Sequence, residues 1–248
     1  MRKIMLLFGG ESLVDLLDPQ DGEKILDLGC GTGELTENIA QTSGACVRGI
    51  DSCCSMISTA QVKYPDINFS VADARSFQVE KPLDAVFSHQ VLHWIKEPDA
   101  VINCVEQALK PGGRFVAEFN WEGHVGAIVG PHLSVVLSEI SGQEPEAHNP
   151  WYCPSIDEYA GLLQQHGFDV REAVLVEPPT PPLQGGRWGL GSLIQGLAGE
   201  FWWELSEDVR SHVIRTVEEH LRSTQYRDGN WMADYRRLRF VAVKNSSR

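Results

Sequence analysis

The stretch that most constrains the fold is an apolar run that ends on three alternating glycines, Lys24-Ile25-Leu26-Asp27-Leu28-Gly29-Cys30-Gly31-Thr32-Gly33-Glu34. A short apolar run bounded by turn residues is typical of a buried parallel strand. Glycine has no Cβ, so this loop can approach a ligand closely and adopt positive φ. After the loop, Leu35, Ile39 and Ala40 share one helical face. Such a strand, loop and helix form the ligand crevice of an open α/β sheet.

The spacing of the glycines favours a cationic ligand over a phosphate. A dinucleotide loop has the pattern G-x-G-x-x-G and places a pyrophosphate at the helix N-terminus. Here the pattern is G-x-G-x-G, and the carboxylate of Glu34 would repel a pyrophosphate. Asp27 adds a second negative charge at the end of the strand. A nicotinamide-dependent oxidoreductase is therefore disfavoured, and a plain glycine turn in another α/β protein is the alternative for this stretch alone.

The charge balance favours a small-molecule substrate. The 248 residues contain 34 Asp and Glu against 21 Lys and Arg, for a net charge of −13. This length suits one large α/β domain, residues 1–248, with an elaboration. The acidic excess argues against a long nucleic-acid footprint and against an anionic membrane surface. We expect a monomer or homodimer that binds a small molecule, with no nucleic-acid or membrane partner.

The cysteines and the N-terminus indicate a cytoplasmic location. The six cysteines include no C-x-x-C pair, and no histidine cluster has zinc-finger spacing. The apolar run at residues 4–8 is too short for a signal peptide, and no run approaches the length of a membrane helix. We therefore expect reduced thiols and no metal site.

Two further predicted strands end on acidic residues. The second, residues 45–50, leads to Asp51-Ser52, one βα unit beyond the glycine loop, where an acid accepts hydrogen bonds from ribose hydroxyls. A surface-loop aspartate is the alternative. A helix lies between Asp51-Ser52 and the third strand, residues 67–72. Its Met56 either contacts the adenine of a bound ligand or fills the core. The third strand leads to Asp73-Ala74.

The fourth predicted strand, residues 83–88, ends on Ser88-His89-Gln90, followed by Val91-Leu92-His93-Trp94. By chain order, this edge faces the ligand of the glycine loop. A helix from Pro98 then leads to a strand at residues 115–119.

Several of these segments resemble known motifs. Asp27-Leu-Gly-Cys-Gly-Thr-Gly33 resembles motif I of the class I methyltransferases that use S-adenosylmethionine (SAM), a sulfonium cation with an ammonium group. Val71-Ala-Asp-Ala74 resembles the adenine-binding turn of that family, and Leu109-Lys-Pro-Gly-Gly-Arg114 is a further family-like signature. Over residues 22–120 the pattern is similar to the trans-aconitate methyltransferase group. The resemblance implies a Rossmann-like, doubly wound α/β fold with a mostly parallel seven-stranded sheet and an antiparallel last strand.

The resemblance also implies roles for individual residues. In the family, the acid of the adenine turn accepts from the exocyclic amine and the next residue's N–H contacts a ring nitrogen. Cys53-Cys54 stands where relatives often have Ser-Pro, a mild departure because this pair starts a helix. The residues that we expect to bind SAM are Asp27, Gly29, Cys30, Gly31, Gly33, Asp51, Ser52, Met56, Asp73, Ala74, Ser88 and His89.

The methyl acceptor is expected beside the end of the fourth strand, where His93 and Trp94 are the candidate catalytic residues. Leu-His-Trp also occurs at this place in small-molecule carboxyl methyltransferases, in which the Trp indole N–H helps to hold the substrate carboxylate. That resemblance applies to Trp94 only. His93 is a base, a hydrogen-bond donor or an inward-facing residue at the start of a helix.

The resulting functional hypothesis is O-methylation of a small carboxylate-bearing metabolite. N- or C-methylation of a metabolite, and a SAM-binding regulatory module without catalysis, are the alternatives. The residues predicted to bind the acceptor are Gln90, His93, Trp94 and Arg237.

The last predicted strand, residues 235–243, carries three arginines. Arg237 and Arg239 point to one face of the strand and Arg236 to the other. One interpretation is an exposed edge with solvated arginines. The other is a bidentate clamp for an acceptor carboxylate.

An insertion at residues 178–232 separates the last two predicted strands. In folds of this kind such an insertion commonly forms a cap over the substrate, and here a helix at residues 206–221 carries one apolar stripe. The insertion's tryptophans either pack this cap or contact the substrate directly; they are Trp188, Trp202, Trp203 and Trp231.

Overall fold

The computed structural model describes residues 10–142, 144, 151–176, 189–197, 201–232 and 235–246. They form two compact units. The first comprises Met1–Phe119, Pro154–Val176 and Arg237–Arg248, and the second comprises Asn120–Cys153 and Glu177–Arg236.

The described strands, in chain order, are β1 (Lys24–Leu28), β2 (Cys46–Asp51), β3 (Asn68–Val71), β4 (Leu83–His89), β5 (Leu109–Asn120), β6 (Phe168–Val176), β7 (Tyr226–Arg227), β8 (Asn230–Trp231) and β9 (Arg237–Lys244). The described helices are α1 (Gly10–Leu17), α2 (Glu34–Ser43), α3 (Cys54–Lys63), α4 (Pro98–Ala108), α5 (Val125–Ser141), α6 (Ile156–Gln165), α7 (Gly189–Leu197), α8 (Phe201–Glu204) and α9 (Glu207–Gln225). A single 3-10 turn covers Leu92–Trp94.

The first unit contains a seven-stranded sheet with the order β3-β2-β1-β4-β5-β9-β6. β1 pairs in parallel with β2 and with β4, and β4 pairs in parallel with β5, whereas β9 runs antiparallel to β6. This confirms the predicted Rossmann-like fold class. The chain order reverses between β1 and β4, and ligands of open α/β sheets bind at such a switch point, beyond the carboxyl ends of the strands.

The antiparallel last strand brings a new residue to this edge. Arg237, the first residue of β9, lies opposite Val176, the last residue of β6. An antiparallel strand begins at the edge where its parallel neighbours end. Arg237 is therefore brought to the carboxyl edge of the sheet by the direction of β9.

An aromatic cluster fixes the strands beside that edge. Phe240 of β9 packs edge-on against Phe115 of β5 at 4.9 Å, and Tyr159 of α6 packs against Phe119 at 4.8 Å. Each of these rings is fully buried. Burying a large aromatic side chain contributes about 1.5–3 kcal/mol, so β5 and β9 are held together firmly.

Two strand boundaries differ from the prediction by more than one residue. β5 begins at Leu109 instead of residue 115, because pairing continues to Leu83↔Leu109 beyond an irregularity between Leu83 and Ala85. β9 begins at Arg237 instead of residue 235.

The second unit has its own core, built by α5, α7, α8 and α9 with the β7–β8 hairpin. The predicted apolar stripe of α9 is confirmed, since Val213, Val217 and Leu221 are buried in this core. Trp202 and Trp231 are buried there too, which supports their packing role.

The cap over a substrate at residues 178–232 stays a prediction, and Trp188 lies outside the described residues. In the part of the chain that the structure describes, no helix is long and apolar enough to cross a bilayer.

Gly22 and Gly29 allow the cost of backbone strain to be distinguished from the cost of steric contact. Gly22 and Gly29 have nearly the same φ, 76° and 78°. A Cβ at Gly22 would meet nothing within 4 Å, whereas one at Gly29 would lie 2.1 Å from Cγ2 of Val91. We expect Gly22→Ala to lower the free energy of unfolding by about 1 kcal/mol, and Gly29→Ala by roughly 1–3 kcal/mol more, because Val91 must move. Urea unfolding measures both, and equal losses would show that the contact with Val91 does not matter.

Candidate active site

A cavity of about 630 Å³ opens at the carboxyl edge of the sheet of the first unit. Small-molecule sites typically have volumes of about 300–1,000 Å³. Its walls come from the ends of β1, β2, β3 and β4 and from the start of β9. The structure brings together on these walls the predicted residues Gly29, Gly31, Asp51, Ser52, Met56, Asp73, Ala74, His89, Gln90, Trp94 and Arg237.

The other predicted residues lie behind the walls and do not line the cavity; they are Asp27, Cys30, Gly33, Ser88 and His93. Ser88 is fully buried and donates its hydroxyl to the carbonyl oxygen of Leu28 at 2.9 Å, so it joins β4 to β1. Gly33, with φ of 85°, immediately precedes α2. These residues shape the loop from beneath.

The carboxylate of Asp51 organises the glycine loop. Its Oδ2 accepts from the backbone N–H of Gly31 at 3.0 Å, and its Oδ1 accepts from that of Cys53 at 2.8 Å. Each carboxylate oxygen has a second lone pair, and Asp51 lines the cavity. Asp51 can therefore hold the loop and the start of α3 while it accepts hydrogen bonds from a ligand.

The carboxylate of Asp73 is held by Arg75, which was not among the predicted site residues. Nε and Nη2 of Arg75 donate to the two carboxylate oxygens of Asp73 at 3.0 and 2.7 Å, and Nη1 donates to Glu97 at 3.1 Å. The hydrogen bonds from Arg75 hold the pKa of Asp73 below its ordinary value. Arg75 and Glu97 also line the cavity. Sequence reasoning could have included Arg75, because it directly follows the predicted adenine turn.

The structure decides between the two alternatives for Met56 and changes the interpretation of Glu34. Met56 is 44% exposed and lines the cavity, so the alternative that it fills the core is wrong. Glu34 pairs with Lys63 and does not line the cavity. Repulsion of a pyrophosphate by Glu34 would therefore act only from behind the loop.

Asp27 is buried under the glycine loop. Only 2% of the residue is exposed, and Oδ2 accepts from the hydroxyl of Thr36 at 2.6 Å. Burial raises the pKa of Asp27 to about 7, and the negative charge of Asp51 raises it further. The hydrogen bond from Thr36 acts in the opposite direction and lowers this pKa. The carboxyl group of Asp27, predicted to be negatively charged, is consequently fully ionised only above neutral pH.

The end of β4 carries strained and unsatisfied polar groups. Gln90 has φ of 60°, an uncommon conformation for a residue other than glycine. Nε2 of Gln90 and both ring nitrogens of His89 are buried without a hydrogen-bond partner among the described residues. A buried donor left unpaired costs about 1–3 kcal/mol. Both residues line the cavity, although these nitrogens are themselves buried, and Nε2 of His89 lies 3.7 Å from the carboxylate of Glu118.

Trp94 and His93 have different surroundings. Trp94 is 53% exposed and lines the cavity. His93 is buried, with its ring centroid 5.2 Å from that of Trp94. A role for His93 as the base stays a prediction, whereas Trp94 has direct access to a ligand.

The expectation of solvated arginines at an exposed edge is wrong. β9 lies between β5 and β6, and Arg237 and Arg239 are 6% and 8% exposed. Both contact the carboxylate of Glu118, Arg237 through Nη1 at 3.1 Å and Arg239 through Nε at 2.8 Å and through Nη2. Burial acts to raise the pKa of Glu118, but His89 and the two arginines hold it below its ordinary value.

Comparison with known proteins gives the family. A methyltransferase domain model matches residues 26–117. The uncharacterized methyltransferase C70.08c of Schizosaccharomyces pombe is 32% identical over 246 residues, which are 94% of this chain and 91% of that protein. The chain therefore belongs to the class I SAM-dependent methyltransferases.

Two other similarities are partial or structural. A trans-aconitate 2-methyltransferase of Escherichia coli O1:K1 / APEC is 36% identical over 102 residues, 40% of each chain. The structure of phosphoethanolamine N-methyltransferase 2 from Haemonchus contortus with SAM has a TM-score of 0.58 and 21% identity, and the alignment covers 95% of this chain and 52% of that one. The second similarity concerns the fold alone.

The cavity fits the SAM of this family. The glycine loop leaves no room for a Cβ at Gly29, where Val91 closes the wall. Asp51 and Asp73 present carboxylates to the cavity, and SAM has ribose hydroxyls, an adenine amine and two cationic groups. Among the described residues, no group of histidine, cysteine and acidic side chains could hold a metal ion.

Asp51→Ala should weaken binding of S-adenosylhomocysteine by about 1.5–3 kcal/mol, because hydrogen bonds to a charged group are lost. Isothermal titration calorimetry measures the dissociation constant. Asp66→Ala is the control, since Asp66 is exposed and does not line the cavity. An unchanged constant for Asp51→Ala would refute the assignment of Asp51 to the ribose.

The stability of the protein should depend on the protonation of Asp27. Its folded-state pKa of about 7 lies above the ordinary 3.8, so the native state binds an extra proton and stability rises as the pH falls through this window. Asp27→Asn keeps an acceptor for Thr36, but its stability does not rise as the pH falls, because asparagine does not titrate. Between pH 7.5 and 5, the stability of the wild type relative to the variant should therefore increase by about 2 kcal/mol. Denaturant unfolding at several pH values measures the difference, which should stay constant for Asp66→Asn.

Proposed function

We propose that the protein transfers the methyl group of SAM to a carboxylate oxygen of a small metabolite. The observation that carries this proposal is Arg237, which lines the same cavity as Trp94 and Gln90. A guanidinium matches the planar geometry of a carboxylate. The partial similarity to a trans-aconitate 2-methyltransferase adds support.

The reaction requires few catalytic groups. Bound SAM supplies a methyl carbon activated by a positively charged sulfur. A lone pair of the carboxylate oxygen attacks this carbon while the carbon–sulfur bond breaks, and the electron pair of that bond goes to sulfur. The products are a methyl ester and S-adenosylhomocysteine, and no proton moves.

The protein therefore contributes mainly alignment and a dry environment. Holding two reactants in line can be worth up to about 7–11 kcal/mol. In this proposal Arg237, Gln90 and the indole N–H of Trp94 bind and orient the acceptor. An ionised carboxylate needs no base, so His93 acts, if at all, by supporting Trp94 from behind the wall.

N-methylation is the main competing function. The fold is shared with a phosphoethanolamine N-methyltransferase, so the fold does not choose between acceptors. Arg237 favours an acceptor that carries an anionic group, and a phosphoethanolamine carries one too. The similarity to a trans-aconitate 2-methyltransferase is what favours the carboxylate as the methylated group.

Labelled SAM with a panel of small acids, amines and phenols tests the proposal. We expect label in the acids, trans-aconitate among the first to try, and its release as volatile methanol in mild base, because methyl esters hydrolyse there and methylamines do not. Label in amines or phenols only would exclude the carboxylate acceptor. S-adenosylhomocysteine binding without turnover on any compound would favour a regulatory module.

Trp94→Phe should raise the KM for the acid about tenfold, the loss expected for one hydrogen bond to a charged group. The ring remains, so the affinity for S-adenosylhomocysteine should not change. His93→Gln is the companion variant, and a lost kcat with unchanged KM would instead favour His93 as a base. A normal KM in Trp94→Phe would contradict the role of the indole N–H.

A further inference from the structure

Glu118 is a buried acid that the proposed reaction does not use directly. It lies in the otherwise apolar run Phe115–Phe119 of β5, next to His89 of β4 in the parallel register. Only 1% of the residue is exposed. Burying charged groups costs several kcal/mol each, and a buried ion pair is often no more stabilising than apolar residues of the same size. Stability alone therefore gives a weak reason for an acid at this position.

The contacts of Glu118 divide between its two oxygens. Oε2 accepts from Nε and Nη2 of Arg239, which anchor this oxygen. Oε1 accepts from Nη1 of Arg237 at 3.1 Å and lies 3.7 Å from Nε2 of His89, beyond hydrogen-bond distance. One oxygen is thus anchored, and the other faces two residues that line the cavity.

The backbone reinforces this arrangement. The carbonyl oxygen of Glu118 accepts from the N–H of Gln90 at 2.8 Å, and Gln90 has a positive φ. Strained backbone of this kind persists where the surrounding structure enforces it, commonly at functional sites. Side chain and backbone of Glu118 therefore contact three residues of the cavity wall, His89, Gln90 and Arg237.

We propose that Glu118 is a positioning residue of the acceptor site, which holds Arg237 and Gln90 on the cavity wall in the arrangement that receives an anionic group. Arg239 lies behind it and anchors its carboxylate. The proposal rests on the acceptor side of the proposed function. It assigns no contact between Glu118 and either substrate.

Glu118→Gln tests this role, because it removes the charge and keeps the shape. We expect the KM for the acid acceptor to rise about tenfold or more, with a smaller change in kcat. The affinity for S-adenosylhomocysteine should stay within about twofold of the wild type, because Asp51 and Asp73 are untouched. An equal loss of cofactor affinity, or an unchanged KM, would overturn the proposal.

The chain offers a matched control for the loss of an ion pair. Glu23 receives two hydrogen bonds from Arg114, at 2.8 and 2.6 Å, and lies before β1, at the opposite edge of the sheet. Glu23→Gln should leave the KM for the acid unchanged. If Glu118→Gln does not fold, Arg239→Lys keeps every charge but loses the two-point contact, and it should raise the KM in the same direction.

A crystal structure of Glu118→Gln with S-adenosylhomocysteine separates this inference from the proposed function. The guanidinium of Arg237 should leave its wild-type position in this variant and keep it in Glu23→Gln. If the wild type methylates no acid, the carboxylate acceptor is wrong, and the position of Arg237 still decides whether Glu118 holds it. An unmoved Arg237 would refute the role of Glu118.

Discussion

The structure of the site depends on one carboxylate that accepts two backbone N–H groups. Asp51 binds the amides of Gly31 and Cys53, which belong to the loop after β1 and to the residue before α3. The loop after β1, the end of β2 and the start of α3 are thereby fixed around a single side chain. The same side chain faces the cavity, so a ligand that binds Asp51 meets a loop that is already in place.

The two sides of the cavity are built on different principles. Near Asp73, the polar groups are part-exposed and are held by partners close in sequence, as in the pair Arg75–Asp73. Near Arg237, they are buried and are held by partners far apart in sequence. An exposed pair tolerates exchange with water, whereas a buried pair keeps a fixed geometry. In the function proposed above, the region near Asp73 receives the cofactor and the region near Arg237 receives the acceptor.

The features of the site that depend on short segments of the chain could be predicted from the sequence. Glycines, a following helix and acids at strand ends occur within short segments, so the loop, Asp51 and Asp73 could be assigned correctly to one edge. The pairing of Glu118 with Arg237 spans 119 residues, and no local pattern specifies it. The only signal was an acid inside the apolar strand at residues 115–119. The exposure of Arg237 was misjudged for the same reason, because the position of β9 inside the sheet depends on pairing across the whole chain.

The position of β9 between β5 and β6 also orders the assembly of the protein. β6 follows β9 in the sheet order and pairs with it, although it precedes β9 along the chain. During synthesis, β1 to β5 can pair before the C-terminal residues emerge, but β6 must wait for the last strand to join the sheet. The glycine loop can thus be ready early, while the part of the cavity wall that contains Arg237 is completed last.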